Sequence, residues 1–347
     1  MKPAAKTDDR SPAPLAALRA AADASRLRIL RLLDVAELSV GELAAAAAMT
    51  QSSVSRHLAV LRAAGLVEER SEGTRTYVRV AVAPPAGAAP LFTAVLASVR
   101  AADFGHADDL ARLERVRRER DAERESAFDA LAADWDALRH ELLGGRLSGP
   151  DIASLLGPHG MRIVDAGAGT GVSLPWLSAV AGDEGRVVAV ERSAAMLARA
   201  RGRSAGLANV EFRRGRIEEL PVADRWADAL VLSLSLRQTA DPAAALARCV
   251  RAVKPGGRIV VADVLAHGDA RLVEKLGRGF AGFAPDELTS LLRGAGLASV
   301  RVVELPPASH ETDGVRAPRT RVIPRLAPLL AVGIVPAAVR AHIRRTR

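Results

Sequence analysis

Cysteine is nearly absent from this 347-residue sequence, in which Cys249 is the only thiol. A single thiol excludes an intramolecular disulfide and a multi-thiolate zinc centre, and it fits a reducing compartment. Aromatic residues are scarce as well, at 3% against a hydrophobic total of 49%. The cores must therefore be built from Ala, Leu and Val, a composition suited to helices and parallel strands. Long apolar runs are missing too. The N-terminal MKPAAKTDDRSPAP is polar, without the apolar segment of a secretory leader. The longest apolar stretch, Leu326 to Val339, is broken by Pro328, Gly333 and Pro336, short of the roughly 20 residues that cross a bilayer. These absences predict a soluble, cytoplasmic chain with no membrane partner.

Charge is present in quantity but unevenly placed. Lys and Arg outnumber Asp and Glu by 12 to 9 over residues 1–83 and by 8 to 2 over 306–347, whereas residues 84–305 balance at 29 each. A net charge of +9 is compatible with nucleic acid but does not by itself select it. Any DNA-binding assignment must rest on local motifs.

Changes in periodicity divide the chain. Residues 1–14 read as a disordered N-terminus and 15–83 as short helices ending in a hairpin. PPAGAAP at 84–90 then breaks the pattern. A helical region follows over 91–143, and its charged run RLERVRRERDAERE reads as a solvated helix face. From 150 to 305, apolar strands alternate with glycine turns and helices, the signature of a parallel sheet. Strands are expected at 161–167, 185–191, 209–215, 227–235 and 257–264. The basic segment 306–347 has no clean period and reads as a poorly ordered tail. The expected architecture is a mainly-α winged helix-turn-helix followed by a doubly wound α/β domain, with a helical linker.

Within the first region, SVGELAAAAAMTQSSVSRHLAVLRAAG at 39–65 predicts a helix at Gly41–Met49, a turn, and a second helix opened by Thr50 as N-cap. Val54, Leu58 and Leu61 recur at helical spacing and should face the core. The opposite face carries Gln51, Ser52, Ser53, Ser55, Arg56 and His57. Small polar groups around one guanidinium suit a helix in the major groove, where they reach base edges. LVEERS and RTYVRV, flanking Glu72–Gly73–Thr74, predict a two-stranded wing. Its Arg70, Arg75 and Arg79 are candidate phosphate or minor-groove contacts, the alternative being ordinary solvated strand charges.

DASRLRILRLL at 23–33, GELA at 41–44, SSVSRHLAVLRAAGLVEER at 52–70 and Tyr77 together resemble the ArsR/SmtB winged-helix repressors. The resemblance covers about residues 15–83. It implies double-stranded operator DNA as partner and a homodimer on an inverted repeat, formed through helices near Leu15–Ala22 and Leu91–Ala101. Metal sensing, frequent in that family, is not expected. Glu37-Leu38-Ser39-Val40-Gly41 stands where a cysteine motif is needed, and only Asp103 and His106 lie near the second ligand position, too few to enclose zinc.

In the second region, strand MRIVDAG runs into a loop carrying Asp165, Gly167, Gly169, Thr170 and Gly171. Glycines there let the backbone approach a ligand closely. The next strand ends at Glu191, placed to accept ribose hydroxyls. Such a turn alone does not separate nucleotide classes. The full order, DAGAGTG, VERSAAMLARAR, GRIEELP and ARCVRAVKPGGRIVVADV, resembles class I S-adenosylmethionine-dependent methyltransferases over about 150–305. It implies that S-adenosylmethionine or S-adenosylhomocysteine is held by Asp165, Gly167, Gly169, Gly171 and Glu191.

Two departures matter. Gly215–Arg216 replaces a Gly-Asp pair whose carboxylate binds adenine in many relatives, and arginine cannot accept that bond; Glu218 is the alternative acceptor. Near the fourth strand end, Ser233, Ser235, Arg237 and Gln238 stand where relatives often have histidine, so no catalytic residue is identified. Direct methyl displacement depends mainly on alignment and does not require a base. Cys249 reads as a small core residue, and His140, His159 and His267 lack partners for a triad. Three functions stay open: a repressor responding to the fused cofactor site, an active methyltransferase with an autoregulatory DNA-binding domain, and an interaction module recruiting a partner through the charged helix.

Overall fold

The computed structural model describes residues 13–72, 75–85, 87–101, 107–147, 149–157, 160–239, 241–269, 272–273, 281–308 and 325–337. Polar caps start the helices of the first unit. Helix α1 spans Ala13–Ala21, and α2 (Ala24–Val35) begins where Asp23 accepts the Arg26 amide at 2.9 Å. Ser39 and Glu42 form a reciprocal capping box for α3 (Val40–Ala47). Ala48, at φ 52°, then turns the chain. Thr50 caps α4 (Gln51–Ala63) by accepting the Ser53 amide, as expected of an N-cap.

The first core follows from helical spacing. Val54, Leu58 and Leu61 on α4 are buried together with Ile29, Leu30 and Leu32 of α2 and Leu43 of α3. Each such side chain contributes roughly 1.5–3 kcal/mol on leaving water. Strands β2 (Val67–Glu72) and β3 (Arg75–Val80) form the antiparallel hairpin, and β1 (Leu38–Ser39) adds a third strand against β3. Helix α5 (Ala89–Ala101) places Phe92 in the same core.

The two units divide between Ala122 and Glu123, inside α6 (Asp108–Leu131). That division corrects the expectation of one helical linker over 91–143. Helix α5 and the start of α6 belong to the first unit, where the buried Asp109 accepts Arg28 Nε at 2.8 Å and also pairs with Arg112. Helix α7 (Trp135–Leu143) belongs to the second, with Trp135, Leu142 and Leu143 in its core. Packing decides the split, because the helical period is the same on both sides of it. Asp103 and His106 lie outside the described residues.

The second unit is a seven-stranded sheet in the order β6-β5-β4-β7-β8-β10-β9. Strands β4 (Arg162–Ala166), β5 (Arg186–Glu191), β6 (Val210–Arg214), β7 (Ala227–Ser233) and β8 (Val253–Val264) are parallel. Helices α8 (Gly149–Leu156), α9 (Leu174–Ala181), α10 (Ala194–Arg203), α11 (Pro242–Ala252) and α12 (Pro285–Gly294) accompany them, and β9 spans Ala298–Glu304. The expected KPGG turn is a bulge within β8. Its ladder jumps from Ala227↔Val253 to Ala229↔Arg258.

Strand β10 (Pro328–Ile334) overturns the expectation of a poorly ordered 306–347 tail over the part that is described. It runs antiparallel to β8 and β9 with Leu329 and Ala331 buried. Pro328 and Gly333 are both compatible with it. Pro328 opens the strand, where proline is tolerated. Gly333 lies so close to Leu297 that an added Cβ would come within 2.9 Å of its Cδ1.

Candidate nucleic-acid interface and cofactor cavity

Burial of one face of α4 leaves Gln51, Ser52, Ser55 and Arg56 exposed, with Ser53 and His57 half-buried. Arg56 makes only long contacts, 3.4 Å to the Ser52 carbonyl and 3.5 Å to Ser53 Oγ. It has no carboxylate partner among the described residues, so its guanidinium stays available. His57 turns toward the base of α2, its Nδ1 lying 3.8 Å from Asp23. On the hairpin, Arg70 pairs with Glu37 at 2.9 Å and Arg79 with Glu68 at 2.6 Å. Exposed pairs of this kind are worth about 0–1 kcal/mol, which leaves both arginines exchangeable for phosphate. The hairpin tip Gly73–Thr74 and the Arg75 side chain lie outside the described residues.

The sheet of the second unit reverses its order between β4 and β7, and ligands of open α/β sheets sit beyond the strand ends at such a point. A cavity opens there, lined by the loop after β4, the end of β5 and the end of β7. Gly167 has φ 87°, and a Cβ on it would come within 2.4 Å of the Ser235 side chain. Packing therefore demands that glycine. Gly169, at φ 55°, has nothing nearer than 3.8 Å to the position of a Cβ, so the backbone there is open to the cavity.

Asp165 is fully buried on the cavity wall and its Oδ1 has no hydrogen-bond partner. Desolvation, reinforced by the nearby Glu191, pushes its carboxyl up to about 7. Glu191 accepts the Gly169 amide at 3.0 Å and the Ser193 amide at 2.8 Å, tying the glycine loop to the end of β5. Burial raises its carboxyl above the usual range despite those donors. Arg216 and Glu218 both line the cavity, with Arg216 Nε 3.8 Å from Glu218 Oε2.

Ser233, Ser235 and Gln238 also line the cavity, with Ser235 Oγ donating to the Ala166 carbonyl at 2.7 Å, and the buried Gln238 Nε2 has no partner. Arg237 does not join them. It donates to the Gly282 carbonyl, pairs with Glu287 and lies 3.8 Å from the Phe283 ring centre. Cys249 is buried, its thiol pushed up to about 12 by desolvation, in keeping with a core residue. The sequence reading missed Trp135 and Arg139, both on α7 and both on the cavity wall. No local motif marks them, because they sit about thirty residues before the glycine loop in a stretch that reads as plain helix.

Comparison with known families matches the bacterial regulatory proteins of the arsR family to residues 23–69 and the methyltransferase domain family to residues 164–261. The chain joins an ArsR-family helix-turn-helix domain to a methyltransferase domain. Over 142 residues the chain is 34% identical to the ubiquinone/menaquinone biosynthesis C-methyltransferase UbiE of Vibrio parahaemolyticus, covering 39% of this chain and 55% of that protein. The chain thus spans about half the length of the curated relatives it matches. A 37.1 kDa protein of transposon Tn4556 from Streptomyces fradiae is 36% identical over 104 residues, 30% of each chain. Among solved structures, the complex of the Haloferax volcanii Trm112 methyltransferase activator with a methyltransferase aligns with a TM-score of 0.50 at 23% identity, over 60% of this chain and 97% of that one.

The methyltransferase domain fits the cofactor that its fold family implies. An orphaned buried carboxylate at Asp165, the open backbone at Gly169 and a second carboxylate at Glu191 face one cavity. They offer what an ammonium group, a close-lying ligand chain and a ribose require.

Proposed function

We propose that the chain is a sequence-specific, operator-binding repressor of ArsR type whose affinity for DNA changes when S-adenosylmethionine or S-adenosylhomocysteine occupies the methyltransferase domain. The observation that carries the DNA-binding half is the exposed polar face of α4 around Arg56, which has no carboxylate partner among the described residues. A helix whose outward side chains are small and polar can lie against base edges, and a free guanidinium can fork onto guanine. Exposed Leu15 (40%) and Leu18 (49%) on α1 support a homodimer formed through that helix, which pairs two reading helices on an inverted repeat. Selection of duplexes from a random pool, followed by titration of the selected site with and without each ligand, tests the proposal. An operator affinity unchanged at saturating ligand removes the sensor function.

A second function, methyl transfer itself, is favoured by the 34% identity to UbiE over 142 residues. When bound, S-adenosylmethionine supplies an electrophilic methyl group on a sulfonium. The chain's own contribution is positioning and exclusion of water. Thr170 of the glycine loop donates to Asp136 of α7 at 2.5 Å, and Ser193 donates to Asp129 of α6; both bonds hold helices against the cofactor loops. The Ser233, Ser235 and Gln238 wall offers neutral hydrogen-bonding groups to an acceptor. Production of S-adenosylhomocysteine with a panel of thiol, amine, hydroxyl and carbon acceptors tests this activity.

A further inference from the structure

Helix α6 buries Leu113 and Val116 near its start, and after them its apolar stripe stops. Nine of the fifteen residues 117–131 are charged, and none of the described side chains among them is buried. A helix of that length is marginal in water, because most helical stability in proteins comes from packing an apolar face. The order of this segment therefore depends on polar contacts, and those gather at two places.

In the first unit the contacts of α6 reach the turn that opens the reading helix. Arg112 Nε donates to the Ala46 carbonyl at 2.9 Å. Asp109 holds Arg28, whose Nη2 donates to the Ala47 carbonyl at 2.7 Å. Arg120 Nη1 lies 3.4 Å from Oε1 of Glu42, the acid of the α3 capping box. Ala46 and Ala47 end α3, directly before Ala48 and the Thr50 cap of α4. Guanidinium groups at a helix C-terminus satisfy its orphan carbonyls and complement its dipole.

In the second unit the contacts of α6 reach the cofactor cavity. Glu125 pairs with Arg214 at the end of β6. Asp129 accepts the Ser193 hydroxyl and, at 3.4 Å, the Ala195 amide. Ser193 donates its own amide to Glu191 on the cavity wall at 2.8 Å and caps α10 by accepting the Met196 amide at 3.1 Å. A single residue thus stands between Asp129 and a cavity carboxylate.

We propose that α6 couples the cofactor cavity to the reading helix, with the Asp129–Ser193 bond as the contact that reports occupancy. A ligand that engages Glu191 fixes Ser193, and Ser193 fixes Asp129. Helix formation is cooperative, so a contact made at the last turn is felt along residues 117–131 and alters the grip of Arg112 and Arg120 on the α3–α4 turn. The coupling rests on the repressor function proposed above and names its regulatory contact. Asp129 lines neither the cavity nor the polar face of α4; it is a positioning residue acting through Ser193.

Two measurements on the full chain test the coupling. Hydrogen exchange of the amides of 117–131, with and without S-adenosylhomocysteine, reads the helix. Titration of a duplex selected by the wild type, with and without the same ligand, reads the coupling factor. In the wild type, S-adenosylhomocysteine should slow exchange in this segment and change duplex affinity, each by about 5-fold or more. Asp129→Ala should keep S-adenosylhomocysteine affinity and ligand-free duplex affinity within about 3-fold of the wild type, as expected away from both binding surfaces. Its exchange response and coupling factor should both fall close to one. Arg112→Met should lose the coupling factor but keep the exchange response, because it cuts the path beyond the segment. A full coupling factor in Asp129→Ala, or wild-type exchange that bound ligand leaves unchanged, overturns the proposal. So does a large loss of S-adenosylhomocysteine affinity in Asp129→Ala, which makes the carboxylate a support of the cavity only. A wild type that binds both ligand and duplex with a coupling factor of one is a different result, which removes the sensor function itself and the role of α6 with it.

Discussion

Gly167 and Gly169 belong to the same loop, but replacing them should have different consequences. At Gly167 an alanine Cβ meets Ser235 within 2.4 Å and demands φ 87°. Overpacking and backbone strain of this kind each cost about 1–3 kcal/mol, so Gly167→Ala should lower the melting temperature of the methyltransferase domain even without ligand. Gly169→Ala, at φ 55° with open space beyond, should strain the fold less and act mainly by narrowing the cavity. Thermal melts paired with ligand titrations separate the two effects, and equal loss of stability at both positions would contradict the packing explanation. The glycine pattern was legible in the sequence, but its reason at Gly167 was not, since Ser235 lies 68 residues away.

Asp165 also makes pH a reporter. Its folded-state carboxyl is pushed up to about 7 from 3.8, so the folded chain keeps a proton that the unfolded chain releases. The associated stability is complete below about pH 4 and is lost as pH rises through about 7. Asp263, buried at the end of β8 and also near 7 because of desolvation, has the same sign. Asp165→Asn and Asp263→Asn should each flatten the decline in stability between pH 4 and 8, as measured by melts across that range. If Asp165 meets an ammonium, ligand binding below pH 7 should in addition release a proton, seen as a calorimetric enthalpy that varies with buffer ionisation heat. An enthalpy independent of buffer near pH 6 would remove Asp165 from that role.

At the level of elements, legibility followed the strength of local pattern. Strands β4, β5, β7 and β8 are continuous apolar runs, as strands buried on both faces must be, and they fall within a few residues of expectation. The cap at Thr50 and the inward stripe of α4 were equally plain. Strand β10 was not, because a short apolar run flanked by proline and containing glycine looks like a broken segment until its neighbours are known. Its partners, β8 and β9, supply hydrogen bonds on both edges, and that information is non-local. Leu329, buried against the core beneath β10, should be correspondingly important. Leu329→Ala should destabilise the methyltransferase domain by ~2–5 kcal/mol and leave the winged helix intact. Denaturant unfolding followed by Trp fluorescence reads this domain selectively, because Trp135, Trp176 and Trp226, the chain's three tryptophans, all lie in it. An unchanged transition would mean that β10 contributes little to the fold.

For the whole molecule, the decisive quantity is the coupling between the two domains rather than the affinity of either. Arg56→Ala should weaken operator binding by ~1–3 kcal/mol if the guanidinium reads a base, and should weaken random duplex far less. Equal losses on both duplexes assign it to phosphate. That result establishes DNA reading but does not say why a methyltransferase fold is attached. If ligand changes operator affinity by some factor, linkage requires operator to change ligand affinity by the same factor, typically 5- to 150-fold for a working switch. An enzyme carried to DNA by a tethered domain has no such requirement, and its factor can be one. Measuring operator affinity at saturating S-adenosylhomocysteine, and S-adenosylhomocysteine affinity at saturating operator, therefore closes a thermodynamic square. A regulator gives two equal factors well above one, or well below it if the ligand releases DNA. Two factors of one, in a chain that binds both partners, leave the methyltransferase domain as a catalyst and the ArsR-family domain as its address.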